Sequence, residues 1–160
     1  MGIMQGPSAL SGARTSAHDP PMRTIDLRSG LERPSRQECV ALMATQEIGR
    51  LVVVDNGRPL IFPVNYALDG EAPVFRTASG TKLWASTRSL VAFEVDSVDK
   101  ETKSGWSVVV HGIAQEITAF DRADLQARVS GLPVEPWAPG DKPVLVRVEP
   151  RLITGRRVRH

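Results

Sequence analysis

The chain has 160 residues, 41% hydrophobic and 24% charged, which is ordinary for one globular domain with a core of its own. No apolar run approaches the roughly 18 residues of a membrane helix, and the start lacks the apolar segment of a signal peptide, so we expect no membrane partner. The lone Cys39 fits a reducing compartment, so we expect a cytoplasmic protein. A single cysteine excludes an internal disulfide, and three scattered histidines form no metal-ligand pattern, which excludes a structural zinc site.

The net charge of +2 is unevenly distributed. Residues 145–160 carry five arginines against one glutamate, a local +4, whereas residues 37–144 carry ten basic and fourteen acidic residues, a local −4. A basic end on an acidic body indicates either an anion site or solvated arginines on a final strand. A nucleic-acid module is disfavoured, because only 5% of residues are aromatic and no base-stacking motif is visible.

Residues 1–22 are rich in Gly, Ser, Ala and Pro and predict a disordered tail before a single domain at 23–160. Pro34 suits the first turn of a helix over "SRQECVALMAT". The side chains expected on one face of that helix are Val40, Met43 and Ala44, with Cys39 and Leu42 alongside.

Strand patterns dominate the rest of the chain. "IGRLVVVD" and "PLIFPVNYALD" flank an Asn-Gly turn signal, and "VFRTA", "SLVAFEVD", "WSVVVHGIAQEIT" and "KPVLVRVEPRLITGRRV" follow. Short helices are expected around Leu83–Thr87 and over "RADLQARV". The strands follow one another too closely for parallel crossovers, so we predict a mainly β fold, a β-barrel of about six antiparallel strands with short helices.

The segment "RTASGTK" could hold an anion, most plausibly a phosphate. Thr77, Ser79 and Thr81 offer hydroxyls, Gly80 lets backbone amides approach a ligand, and Lys82 offers a point charge at the start of a helix. The glycine spacing differs from that of a Walker loop. A hydroxyl that simply caps the helix accounts for the same residues, and the segment alone leaves both interpretations open.

Two further segments are unusual. Pro63 in "FPVNY" requires an edge or an interruption in its strand, where the backbone of Val64 and the side chain of Asn65 could meet a flat polar heterocycle; a plain protective edge proline is the alternative. In "SGWSVVVHG", Trp106 is either a core residue or a cover for a ring. Gly112 indicates a bulge or a close backbone approach, and we interpret His111 as structural or exposed rather than catalytic.

Taken in order, "FPVNYALDG", "VFRTASGTKL", "VAFEVD" and "SGWSVVVHGIAQEI" resemble the FMN-binding split β-barrel proteins of the pyridoxamine 5′-phosphate oxidase-like superfamily. The resemblance covers residues 36–158 and is closest to a small uncharacterised branch rather than to the true oxidase. It implies that the residues around the ribityl phosphate of FMN are Thr77, Ser79, Gly80, Thr81 and Lys82. The residues that it implies along the isoalloxazine ring are Pro63, Val64 and Asn65, with Trp106 and Ser107 bordering the flavin.

The resemblance also implies a homodimer with a flavin at each side of the subunit interface and residues from both chains. Arg156 and Arg157 would then reach the partner's flavin site, although solvated or ion-paired arginines are an equal alternative. Pyridoxamine phosphate is a poor candidate substrate, because "LIFPVNY" lacks the oxidase's basic strand motif and "GRRVRH" has no tryptophan in register.

The function expected from the resemblance is an FMN-binding oxidoreductase of the flavin- or nitro-reductase type that uses a reduced nicotinamide nucleotide. Because a flavin carries the redox chemistry itself, the absence of an evident catalytic Cys, His or carboxylate pair is no objection, and no catalytic residue is assigned. The alternative is a flavin- or deazaflavin-binding protein without robust turnover. Deazaflavin and haem are the alternative cofactors, since relatives on this barrel use them.

Overall fold

The computed structural model describes residues 24–26, 31–79, 89–118, 120 and 123–159. The predicted tail at 1–22 and the predicted short helix at Leu83–Thr87 lie outside these residues. The described strands are β1 (Thr24–Asp26), β2 (Leu31–Arg33), β3 (Ile48–Asp55), β4 (Arg58–Asp69), β5 (Ala72–Thr77), β6 (Ser89–Asp99), β7 (Ser104–Glu116) and β8 (Val144–Val158). The described helices are α1 (Arg36–Met43) and α2 (Ala123–Ser130).

Six strands close into a ring in the order β8-β5-β4-β3-β6-β7, with β7 returning to β8, and every pairing is antiparallel. The predicted mainly β barrel of about six strands is therefore confirmed. The short β1–β2 hairpin, which the sequence patterns did not indicate, extends the sheet from β8 through the pairing of Glu32 with Arg157. Among the described residues, no helix has both the length and the apolar character to cross a membrane.

Local sequence explains the longest hairpin. Asn56 and Gly57 form the two-residue link between β3 and β4 with φ of 47° and 77°, the left-handed pair that a type I′ turn needs. Within the ring, alternate side chains point inwards, and Phe93 on β6 packs edge-on against Tyr66 with ring centroids 5.0 Å apart. Phe75 on β5 stacks on the ring of Phe93 with centroids 6.5 Å apart, so aromatic residues from three strands meet in the core.

Helix α1 begins at Arg36, and its buried face agrees with the predicted one except at Ala44. Ser35 is the N-cap and forms a capping box with Glu38, so Pro34 precedes the cap instead of occupying the first turn. The fully buried side chains are Cys39 and Met43, whereas Ala44 is exposed because it is the C-cap residue that ends the helix.

The predicted irregularity at Gly112 is confirmed. The β7–β8 register shifts between His111 and Gly112, which marks a β-bulge. A Cβ atom on Gly112 would lie 2.4 Å from the carbonyl oxygen of Glu149, so the close approach of the two backbones requires glycine.

A cluster of ion pairs joins α2 to the barrel. Asp69 at the end of β4 accepts from Nε of Arg128 at 2.7 Å and from Nε of Arg147 at 2.9 Å, and Arg147 also pairs with Glu149. Arg147 of the basic C-terminal segment is thus ion-paired, whereas the alternatives predicted for this segment were an anion site and solvated arginines.

Candidate functional site

Strand β4 has a bare edge at Pro63 within the described part of the chain. Residues 58–65 pair with β3 on one side, but pairing with β5 on the other side begins only at Tyr66. The Tyr66 N–H donates to the carbonyl of Glu47, on the β3 side, at 3.0 Å. Because N–H groups alternate in direction along a strand, the backbone positions of Pro63 and Asn65 face the bare edge. The prediction that Pro63 occupies an edge is confirmed.

The side chain of Asn65 lies on the outer face of β4, and only one end of its amide group has a hydrogen-bond partner among the described residues. Its Oδ1 accepts from the backbone N–H of Trp137 at 2.9 Å. Its Nδ2 is buried and has no hydrogen-bond partner among the described residues. Val64, next to it, turns inwards and packs against the core. Asn65 therefore offers a backbone N–H to the bare edge and one free side-chain donor.

The described part of the predicted phosphate segment lies beside this edge. Strand β5 runs antiparallel to β4 with Phe75 opposite Tyr66, so Thr77, two residues further on, lies level with Val64. Ser79 follows on the surface. The other predicted phosphate contacts, Gly80, Thr81 and Lys82, lie outside the described residues. The fold thus brings Thr77 close to the predicted ring contacts, and the phosphate assignment itself stays a prediction.

The four remaining predicted contacts form two cross-strand pairs. Trp106 on β7 is directly opposite Arg157 on β8, and Ser107 is directly opposite Arg156. Trp106 packs against the core, while the Arg157 side chain is 14% exposed and lies 3.7 Å from a carboxylate oxygen of Glu32.

The second pair belongs to an open cavity of about 560 Å³. Trp106, Ser107 and Arg156 line it together with Lys100 and Lys103 from the β6–β7 turn. No ion pair is formed by Arg156 within the described ranges of the chain. Glu94, Asp96 and Asp99 also line the cavity, so three carboxylates accompany the three cationic side chains, and Trp106 provides an aromatic wall.

A single chain keeps the two groups of predicted contacts apart. Pro63 is opposite Arg50 on β3, Arg50 is opposite Glu94 on β6, and Ser107 lies on the next strand, β7. Three strand spacings of about 4.8 Å separate them, or roughly 14 Å across the sheet. Within the described part of one chain, the ring contacts on β4 and the contacts on β7 and β8 do not form one pocket.

An apolar row crosses the outer surface of the barrel between these groups. The residues that face one another strand by strand, here named the outer row, are Ile61, Val52, Ala92, His111 and Leu152. Ile61 and Leu152 are 61% and 53% exposed, and Leu90 beside the row is 78% exposed. His111 is exposed in the middle of the row, in agreement with its interpretation as a surface residue. Ile61, Leu90 and Leu152 are thus exposed apolar side chains on one face of the barrel, around His111.

The sequence interpretation missed the contribution of the Pro-rich loop at 131–143. It assigned no role to this segment, yet the fold lays it against β4, where the backbone N–H of Trp137 donates to Asn65. The loop, the end of α1 and β4 enclose a cavity of about 600 Å³. The signal available in the sequence was a tryptophan within a run of prolines, which an ordinary surface loop rarely carries.

Comparisons of this chain with known proteins agree on one family. Residues 35–157 match the family described as pyridoxamine 5′-phosphate oxidase. The uncharacterized protein Rv0080 of Mycobacterium tuberculosis is 31% identical over 129 residues, which cover 77% of this chain and 82% of that protein.

Two solved structures are similar in both sequence and fold. The FAD binding protein of Mycobacterium smegmatis is 36% identical, with a TM-score of 0.66 over 80% of this chain and 98% of its own. The conserved protein of unknown function DIP1874 of Corynebacterium diphtheriae is 32% identical, with a TM-score of 0.64 over 79% of this chain and 96% of its own.

Proposed function

This chain belongs to the pyridoxamine 5′-phosphate oxidase family, and from that premise we propose that it binds a flavin and acts as a flavin-dependent oxidoreductase. The observation that carries the proposal is the bare edge of β4 at Pro63 and Asn65, with Thr77 beside it. A flat heterocycle needs backbone hydrogen-bond groups along one side, and an unpaired strand edge supplies them.

The chain's own residues divide the work of binding. The backbone N–H of Asn65 would donate to the polar edge of the isoalloxazine ring, and Pro63 leaves its own position open because it has no N–H. Thr77 and Ser79 would offer hydroxyls to the ribityl phosphate, with Lys82 neutralising its charge. The bound flavin supplies the electron-transfer chemistry, so the protein has only to bind, orient and tune it.

The sequence resemblance favours FMN as the flavin, whereas the relative from Mycobacterium smegmatis is described as an FAD binding protein. Both cofactors share the ring and the ribityl phosphate, so the same contacts hold either of them. Liquid chromatography of the flavin released from the purified protein, or bound after addition of an equal mixture, distinguishes the two.

A homodimer would complete the site. The outer row has the exposed apolar side chains Ile61 and Leu152 at its ends, and a second copy related by a two-fold axis would cover them. The same contact would supply the residues of β7 and β8 to the bare edge of β4, which one chain keeps roughly 14 Å away from them. Arg156, unpaired among the described side chains, is the cation best available for that role.

The electron donor that we propose is a reduced nicotinamide nucleotide, used in a flavin- or nitro-reductase reaction in the cytoplasm. The binding-only alternative predicts a protein that retains flavin but does not consume the nucleotide. Measured oxidation of NADH or NADPH with an added electron acceptor therefore separates the two functions.

The first experiment is the visible absorbance spectrum of the purified protein, recorded as isolated and again after incubation with FMN or FAD and desalting. Retained flavin bands are the expected result. A deazaflavin spectrum or a Soret band would keep the family and replace the cofactor. A protein that takes up neither flavin under these conditions would overturn the proposed function.

A further inference from the structure

A cavity of about 600 Å³ lies beside Asn65, between β4, the end of α1 and the Pro-rich loop. Strand β3 begins at Ile48, opposite Asn65, so the edge of β4 beyond this point is not covered by β3. Met43 at the end of α1, Leu68 of β4 and Leu132 of the Pro-rich loop form apolar walls. The volume is in the range of small-molecule sites.

One polar group in this cavity has a defined chemical preference. The N–H of Trp137 can bond only to an acceptor, so the Asn65 atom that it meets is Oδ1, and the other end of the amide is the NH₂ group. That Nδ2 is buried and without a partner among the described residues. A buried donor left unsatisfied costs about 1–3 kcal/mol, so a ligand that brings an acceptor recovers this cost.

The charged groups of the cavity select against anions. Glu47 and Glu135 line it, and no lysine or arginine lines it in the described part of the chain. Carboxylates without a neighbouring cation repel phosphates and other carboxylates. Trp137, 71% exposed, provides an aromatic surface on which a flat ring can stack.

We propose that this cavity binds a small, planar, uncharged molecule whose carbonyl oxygen, or an equivalent acceptor, takes the hydrogen bond of Asn65 Nδ2 while its ring stacks on Trp137. The resemblance assigned the Asn65 side chain to the flavin ring, whereas in the structure its Oδ1 is taken by Trp137 and its Nδ2 belongs to the lining of this cavity. The two proposals therefore share Asn65, and the flavin-retention experiment tests the flavin proposal separately.

The experiment uses coumarin as a neutral planar carbonyl probe and coumarin-3-carboxylate as its anionic counterpart. We expect calorimetric binding of coumarin, binding of the carboxylate at least about tenfold weaker, and a shift of the Asn65 side-chain NH₂ resonances with coumarin. Asn65→Asp keeps an oxygen for the Trp137 N–H but removes the donor, and we expect it to weaken coumarin binding about tenfold. In the Glu47→Gln/Glu135→Gln double variant, the carboxylate probe should approach coumarin in affinity.

Equal affinity of the two probes, coumarin binding unchanged in Asn65→Asp, or no coumarin binding to the folded wild-type chain would each overturn the assignment. The two proposals fail separately in this design. A chain that retains flavin and ignores coumarin keeps the proposed function and loses the cavity assignment, whereas a chain that binds coumarin and no flavin does the reverse.

Discussion

The backbone N–H of Trp137 donates to Oδ1 of Asn65 at 2.9 Å, which links residues 72 positions apart and holds the Pro-rich loop against β4. This bond uses the acceptor of Asn65 and leaves its donor free. It also closes one side of the cavity between the loop and the barrel. One side chain thereby positions a loop and presents a binding group.

We expect the hydrogen bond between Trp137 and Asn65 to hold the Pro-rich loop against β4. Asn65→Leu, which removes the acceptor, should accelerate hydrogen exchange at the Trp137 amide about fivefold, because the loss of one hydrogen bond costs about 1 kcal/mol. Asn65→Asp keeps an acceptor and should preserve the slow exchange. Amide exchange followed by NMR tests both variants, and identical exchange in Leu, Asp and wild type would mean that the bond does not anchor the loop.

Lys82→Ala should weaken flavin retention while leaving the fold intact, because it removes a positive charge assigned to the flavin phosphate on sequence grounds. We expect an increase in the flavin Kd of about tenfold or more. Arg58→Ala is the matched control, since it removes one positive charge from the exposed β3–β4 hairpin. Fluorescence titration with FMN measures both variants, and an unchanged Kd for Lys82→Ala would refute the phosphate assignment.

Ile61→Glu should convert the proposed dimer into monomers, because a carboxylate in the middle of an apolar interface has no partner. Ala127→Glu, on the exposed side of α2, is the control and should stay dimeric. Light scattering coupled to gel filtration gives the mass of each species. A monomeric wild-type chain, or a dimeric Ile61→Glu variant, would place the interface elsewhere or remove it.

Asp69→Asn should lower the free energy of unfolding at pH 7 by about 1–3 kcal/mol, since it weakens the link between α2 and β8. Hydrogen bonds from Arg128, with further contributions from Arg147, hold the pKa of Asp69 below its ordinary value. A lowered folded-state pKa stabilises the protein above the unfolded pKa of about 3.9, and this stabilisation is lost as the pH falls through the folded value.

Urea unfolding at pH 7 and pH 3 tests the contribution of the Asp69 carboxylate to the free energy of unfolding. The wild-type chain should lose more stability on acidification than Asp69→Asn, and the exposed Asp141→Asn should resemble the wild type. Parallel pH profiles for wild type and Asp69→Asn would contradict the argument.

Gly155→Ala should destabilise the barrel by about 1–3 kcal/mol, because the new Cβ would lie 2.6 Å from Sγ of Cys39 on the helix above it. Cys39→Ala removes that sulfur, so the double variant should be more stable than the sum of the two single changes predicts. Gly131→Ala is the control, since its nearest neighbour is 3.7 Å away. Additive thermal denaturation results would show that α1 does not pack on Gly155 in this way.

Much of the fold was predictable because local patterns encode it. Alternation in β6 buries Val91, Phe93 and Val95, as its sequence indicates, and Asn56-Gly57 specifies the hairpin at a two-residue turn. Hairpin spacing then requires antiparallel neighbours. The β1–β2 hairpin escaped prediction because its strands are three residues each, too short for a periodic pattern.

The candidate site was predictable only in part. Pro63 indicates a strand edge, because proline has no N–H to donate to a neighbouring strand. Arg157 gives no such signal, and only the register of β2 against β8 brings Glu32 beside it. The role of Trp137 was equally hidden, because its partner Asn65 is distant in sequence.

The sequence by itself determined the six strands of the ring, their antiparallel order and the family, because each depends on residues that are neighbours along the chain or on motifs in a fixed order. Only the tertiary structure decided which groups meet: Asn65 with Trp137, Asp69 with two arginines, and β4 kept apart from β7. The physical reason is that contacts across a barrel follow from strand register and ring closure. These bring distant residues together by geometry and leave no periodic trace in the sequence.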